Sequence, residues 1–95
     1  MIAEIDGSNV KTELDFHKQI STKLEFGRYY GHNLDALWDR LSTDIQRPLT
    51  LVWKNSMQSQ RAMGAAFTSI VQILERVQEQ DRQWGLDEQF QFRLE

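Results

Sequence analysis

Leu49-Thr50-Leu51-Val52-Trp53 is the stretch that decides the fold. It is short, apolar and rich in β-branched and aromatic side chains, which suits a strand buried in the middle of a sheet. Pro48 precedes it and disfavours helical geometry at residue 47, so any earlier helix must stop before the strand. Towards the N-terminus, Ile2-Ala3-Glu4-Ile5 alternates and halts at Asp6-Gly7, a turn pair, and reads as a first strand. Towards the C-terminus, Phe90-Gln91-Phe92-Arg93-Leu94 alternates as a last strand.

Between these strands the apolar spacing is helical. Thr12 with Asp15 looks like a capping box, and Phe16, Ile20 and Leu24 recur every four residues, predicting a helix over about 13–25. Asn33 can cap a second helix whose apolar stripe is Leu34, Leu37, Trp38, Leu41 and Ile45. A short helical turn is expected at Ser59–Met63, stopped by Gly64, with Met57 and Met63 filling gaps beside it. Phe67, Ile70, Val71, Leu74 and Val77 mark a further helix over about 65–80, which Trp84-Gly85 breaks. The Gln-rich region 72–91, with Glu75, Glu79, Asp81 and Asp87, reads as solvated helix face and loop.

The order is therefore β, α, α, β, α, α, β. Helical connections make consecutive strands parallel, with right-handed crossovers. The expected fold class is α/β: one domain over residues 1–95, a three-stranded parallel sheet packed by about four helices. With so few strands, the second helix is free to sit partly outside the sheet's coverage.

Composition narrows the function. A chain of 95 residues with 40 % hydrophobic and 11 % aromatic content can fill one small core and is not disordered. The absence of cysteine removes disulfides, thiolate nucleophiles and Cys-ligated metals. Met1-Ile2-Ala3-Glu4 lacks the basic and apolar regions of a signal peptide, and no apolar run spans a membrane, so a cytoplasmic protein is expected. No phosphate-cradling glycine loop and no ligand-spaced His or carboxylate cluster is present, so neither cofactor nor metal is expected. The net charge of −3 disfavours nucleic acid as a partner, and the charge does not segregate: residues 1–47 carry −2 and residues 48–95 carry −1.

Residues 29–48 are the informative segment. With Leu34 at zero on a helical wheel, the apolar stripe falls within about 60° of it, and Asp35, Asp39 and Ser42 cluster at about 80–140° on one flank. Asp35 and Asp39 are i,i+4 like charges, a spacing that costs roughly 0.2–0.5 kcal/mol in a helix. No Lys or Arg at positions 31, 32, 35, 36, 42 or 43 neutralises them. Read on periodicity alone, this is a solvated flank with an acidic first turn favoured by the helix dipole. Read with Tyr29, Tyr30 and Trp38 around it, the pair is poor for stability and well suited to gripping a cationic site.

Tyr29-Tyr30-Gly31-His32-Asn33-Leu34-Asp35-Ala36-Leu37-Trp38-Asp39, followed by Leu41, Pro48-Leu49 and Trp53, closely resembles the barstar family of intracellular ribonuclease inhibitors. The Asp6-Gly7 turn and Asp15-Phe16-His17 fit the same pattern, strongest over 29–53. The resemblance implies a three-stranded parallel sheet with helices, and an inhibitor whose second helix and preceding loop plug a ribonuclease active site. It implies that Asp39 mimics an RNA phosphate, that Asp35 supplies a second anion and that Tyr29 packs on the catalytic histidine. Tyr30, Asn33, Leu34 and Trp38 would add contact area, with Ser42 and Thr43 at the helix end. The partner so implied is a secreted or toxin-type microbial ribonuclease bound one-to-one by a monomer, with the chain itself not an enzyme.

The departures lie at the periphery. Arg76 stands where the family places a glutamate, Gln80 at a later acidic position, Asp44 for an aromatic and Arg40 for a cysteine. Glu75 and Glu79 lie close by but face another direction. Arg76 either forbids a barnase-type partner or meets an acidic group on a different ribonuclease. Two other readings stay open: an acidic protein-interaction module with a non-ribonuclease target, and a small hydrolase built on His32 and Asp35.

Overall fold

The computed structural model describes all 95 residues. The elements are β1 (Ile2–Asp6), α1 (Glu13–Lys23), α2 (Leu34–Asp39), β2 (Leu49–Lys54), α3 (Ser56–Met63), α4 (Ala65–Gln83) and β3 (Phe90–Leu94). A 3₁₀ turn at Gly7–Asn9 follows β1, and a wide π-type turn at Arg40–Asp44 follows α2. All strands are parallel in the order β1-β2-β3, so the apolar quintet Leu49-Thr50-Leu51-Val52-Trp53 is the central strand, and the α/β architecture is as expected.

The register explains which face is buried. Ala3 lies beside Leu51 and Phe92, and Ile5 beside Trp53 and Leu94, so these side chains share one face, on which the core forms. Ile2, Thr50 and Gln91 share the other face, as do Glu4, Val52 and Arg93, and of these six only Val52 is buried. The helices therefore cover one face alone rather than enclosing the sheet. The charges on the open face are the reason: Glu4, Lys54 and Arg93 need water, and Lys54 pairs with Glu95 at 3.7 Å.

At the core centre, Trp53 lies between Phe16 and Phe67, with ring centroids 4.9 Å away in each case. Its indole N–H donates to the Ser59 hydroxyl at 3.1 Å, and that hydroxyl donates to the Gly7 carbonyl at 2.8 Å. A Cβ at Gly7 would stand 2.4 Å from the Asn55 carbonyl oxygen, so only glycine lets the 3₁₀ turn close against the β2–α3 junction. Thr12 caps α1 by accepting from Asp15 N–H at 3.1 Å, while the Asp15 carboxylate accepts from Lys11 N–H rather than from the cap residue itself.

Several expectations need correction. α1 ends at Lys23 and α3 starts at Ser56, directly after Asn55 in a left-handed conformation (φ 54°). Met57 is exposed and fills no gap, whereas Met63 packs on the core's margin. Ile45 packs against the core but is extended, not helical: the turn at Arg40–Asp44 has already unwound the chain. Asp81, expected on a solvated face, is fully buried. It accepts two hydrogen bonds from Arg47, at 2.8 and 3.1 Å, and one from Phe90 N–H at 2.7 Å. Arg47 also donates to the Ile45 carbonyl at 2.8 Å, so one ion pair ties α4, β3 and the segment leading into β2. Burial pushes the Asp81 carboxyl up, but the Arg47 and Phe90 hydrogen bonds and the Arg47 charge outweigh it and hold the group below its ordinary range.

Candidate functional site

The candidate site is the loop after α1 together with α2 and the π-type turn, braced from behind by α4. Asn33 starts α2: its carbonyl accepts from Leu37 N–H and its side-chain oxygen accepts from Ala36 N–H at 2.8 Å. Its side-chain N–H₂ donates to the Gly31 carbonyl at 3.3 Å. The exposed amide is thus committed to shaping the turn, which makes Asn33 a positioning residue first. Leu37 is fully buried, while Leu34 and Trp38 are half-buried and pack against the core with one edge outward.

Asp35 and Asp39 are both exposed, and neither takes part in any ion pair. Arg40, the nearest cation in sequence, points elsewhere: its Nε lies 3.8 Å from Asp44 and its guanidinium 5.6 Å from the Phe26 ring centre. The carboxylate flank expected from the wheel is therefore present, and its charge is unneutralised within the chain. At the helix end, Thr43 donates its hydroxyl to the Asp39 carbonyl at 2.6 Å and Ser42 approaches the same oxygen at 3.5 Å. Such back-bonding draws the hydroxyls inward and accompanies the widening of the turn. Gln80 on α4 donates to the Ser42 carbonyl at 3.4 Å, pinning the turn from behind.

The adjacent tyrosines have opposite fates. Tyr29 is 81 % exposed, with Arg28 donating to its hydroxyl at 3.1 Å and resting over its ring at 5.1 Å. Tyr30, expected on the partner surface, is only 3 % exposed and is an anchor. Its ring packs at a tilt against Phe26, and its hydroxyl lies 2.6 Å from His17 Nδ1, whose Nε2 lies 3.0 Å from Glu13. With Glu13 ionised, His17 Nε2–H donates to it and Nδ1 accepts from Tyr30, fixing the tautomer. Burial pushes the His17 pKa down against the pull of Glu13, and burial also pushes the Tyr30 phenol up. His32, at φ 54°, donates Nδ1–H to the Tyr30 carbonyl at 2.8 Å and shares no hydrogen bond with Asp35. His32 Nδ1 is thus engaged by the backbone rather than by Asp35.

Arg76 completes the surface. It projects from α4 with its guanidinium carbon 4.4 Å from the centre of the Trp38 ring, so Arg76 and Trp38 form one composite patch beside the acidic flank. Sequence reasoning missed Arg28 and the bracing by Gln80. Arg28 was legible as the neighbour of Tyr29; a contact from residue 80 to residue 42 leaves no local signal.

The fold and site define a small α/β protein that presents an exposed helix-and-loop edge, acidic and aromatic. The family described as Barstar (barnase inhibitor) matches residues 1–95, and the chain belongs to the barstar family. A Bacillus subtilis (strain 168) protein bearing the name "Putative ribonuclease inhibitor YrdF" is 38 % identical over 76 residues, covering 80 % of this chain and 84 % of that protein. No helix is long and apolar enough to cross a membrane.

Proposed function

We propose that this chain is a cytoplasmic, stoichiometric inhibitor of a secreted or toxin-type microbial ribonuclease of the barnase kind, an antitoxin or immunity protein. A single barstar-type domain over residues 1–95, monomeric when free, plugs the enzyme's cleft one-to-one with α2 and the loop before it. A ribonuclease cleft is cationic because it binds phosphates, and it offers the counter-charge that Asp35 and Asp39 lack at home. Asp39 is the principal phosphate mimic and Asp35 the second anion. Tyr29 lies against the catalytic groups, and Leu34 and Trp38 add apolar area. Ser42 and Thr43 close the rim at the helix end.

The observation that carries this reading is the exposed, unpaired Asp35–Asp39 flank next to an almost fully exposed tyrosine. Membership of the barstar family and the name of the Bacillus subtilis relative support it. The test is titration of barnase and of guanyl-specific ribonucleases with the purified chain. Activity should fall linearly to zero near one equivalent. Full activity at micromolar concentrations of the chain, across that set, would overturn the reading in favour of a different protein target.

A further inference from the structure

Arg76 combines three features that together demand something from a partner. It is exposed, it makes no ion pair, and none of its N–H groups has an acceptor within the chain. Carboxylates are close in sequence, yet Glu79 is held by Arg82 and Gln83 and not by Arg76. The guanidinium instead rests on Trp38, 4.4 Å from the ring centre. Stacking on an indole immobilises the guanidinium plane while leaving its edge donors free. A fork of fixed donors fits a carboxylate two-pronged, and its charge is costly opposite another cation.

We propose that Arg76, seated on Trp38, is a specificity-determining residue that selects a ribonuclease carrying a carboxylate at the mouth of its cationic cleft. The inference rests on the inhibitor reading above. The surface is bipolar: Asp35 and Asp39 seek positive charge, and a fixed positive charge on the neighbouring helix seeks a negative one. An RNA strand as the occupant is disfavoured, because its successive phosphates would meet a chain of net charge −3 with Asp35 and Asp39 exposed on the neighbouring helix. A target with an all-basic rim pays a repulsion that a target with an acidic rim turns into attraction.

The probe is catalytically inactive barnase and a set of its variants in which each residue at the mouth of the cleft is changed singly to Glu. Each is measured against the natural chain, Arg76→Glu, Arg76→Gln and Asp39→Ala. Because Arg76 is exposed, these substitutions should leave the fold intact, as thermal unfolding will show. At one or more rim positions, the new Glu should tighten the natural chain by about tenfold or more and weaken Arg76→Glu by a similar factor, with Arg76→Gln between them. If the natural chain and Arg76→Glu rank the whole set alike, within about threefold, while Asp39→Ala still weakens every complex, the specificity role is overturned and the inhibitor reading stands. If no form binds any member of the set, both are overturned.

Discussion

Two sets of aspartates in this molecule are treated in opposite ways. Asp81 is sealed inside, with Arg47 and Phe90 N–H satisfying its oxygens. Asp35 and Asp39 stand on the surface without a cation between them. The first arrangement joins elements distant in sequence. The second adds repulsion to a six-residue helix that would be better off without it. A carboxylate's contribution is therefore set by whether its counter-charge belongs to the same chain, and the two regions should answer differently to the same substitution.

The largest effect should come from breaking the inner pair. Asp81→Ala leaves Arg47 half-buried and unpaired, and such losses cost roughly 3–5 kcal/mol of stability. Denaturant unfolding checks this, and a loss below about 1 kcal/mol, the level of an exposed pair, would mean the pair is merely tolerated. Asp39→Ala should do the reverse. It should weaken the ribonuclease complex by roughly 2–5 kcal/mol, a range drawn largely from barnase–barstar charge pairs, this family's own type case. Calorimetry of the complex beside unfolding of the free chain separates the two effects. An equal loss in both would erase the distinction between the regions.

Acid should expose the inner region first as a change in stability. The folded pKa of His17 lies below its ordinary value because of burial, so its contribution is complete above about pH 6.5 and declines as pH falls below that. Asp81 is also depressed, so its share is complete above about pH 4 and is lost as pH falls through its lower folded value. Unfolding free energy against pH should thus fall in two stages, and Asp81→Asn should shrink the lower one, to which Asp6, held low by its hydrogen bonds from Ser8 and Asn55, also contributes. The smallest effect is the sharpest test of the outer pair. Asp35→Asn should change the stability of the free chain by no more than about 0.5 kcal/mol, because relief of the i,i+4 repulsion with Asp39 is offset by loss of an anion that the helix dipole favours in the first turn. A larger destabilisation would show that Asp35 matters to the fold after all.

Legibility followed the range of the interactions. β2 could be read from five consecutive apolar residues, and Asn33 as a cap from its place before a stripe, because both signals are local. The end of α2 could not. Ile45 falls on the helical stripe by spacing, yet the turn that removes it from the helix accompanies the Ser42 and Thr43 hydroxyls bending to the Asp39 carbonyl and Gln80 reaching across. Asp81 was hidden for the same reason: its partner is 34 residues away. The Tyr29–Tyr30 pair shows the limit most plainly. Identical neighbours point opposite ways because His17, held by Glu13 a turn earlier in α1, supplies an acceptor for only one of them.

The open face of the sheet has a practical consequence. Thr50, Gln91 and Arg93 lie on the side away from every helix, so a dye, a linker or a solid support attached there approaches the molecule from behind. The protein comes with a built-in handle, and α2 with its exposed carboxylates stays clear of whatever holds it.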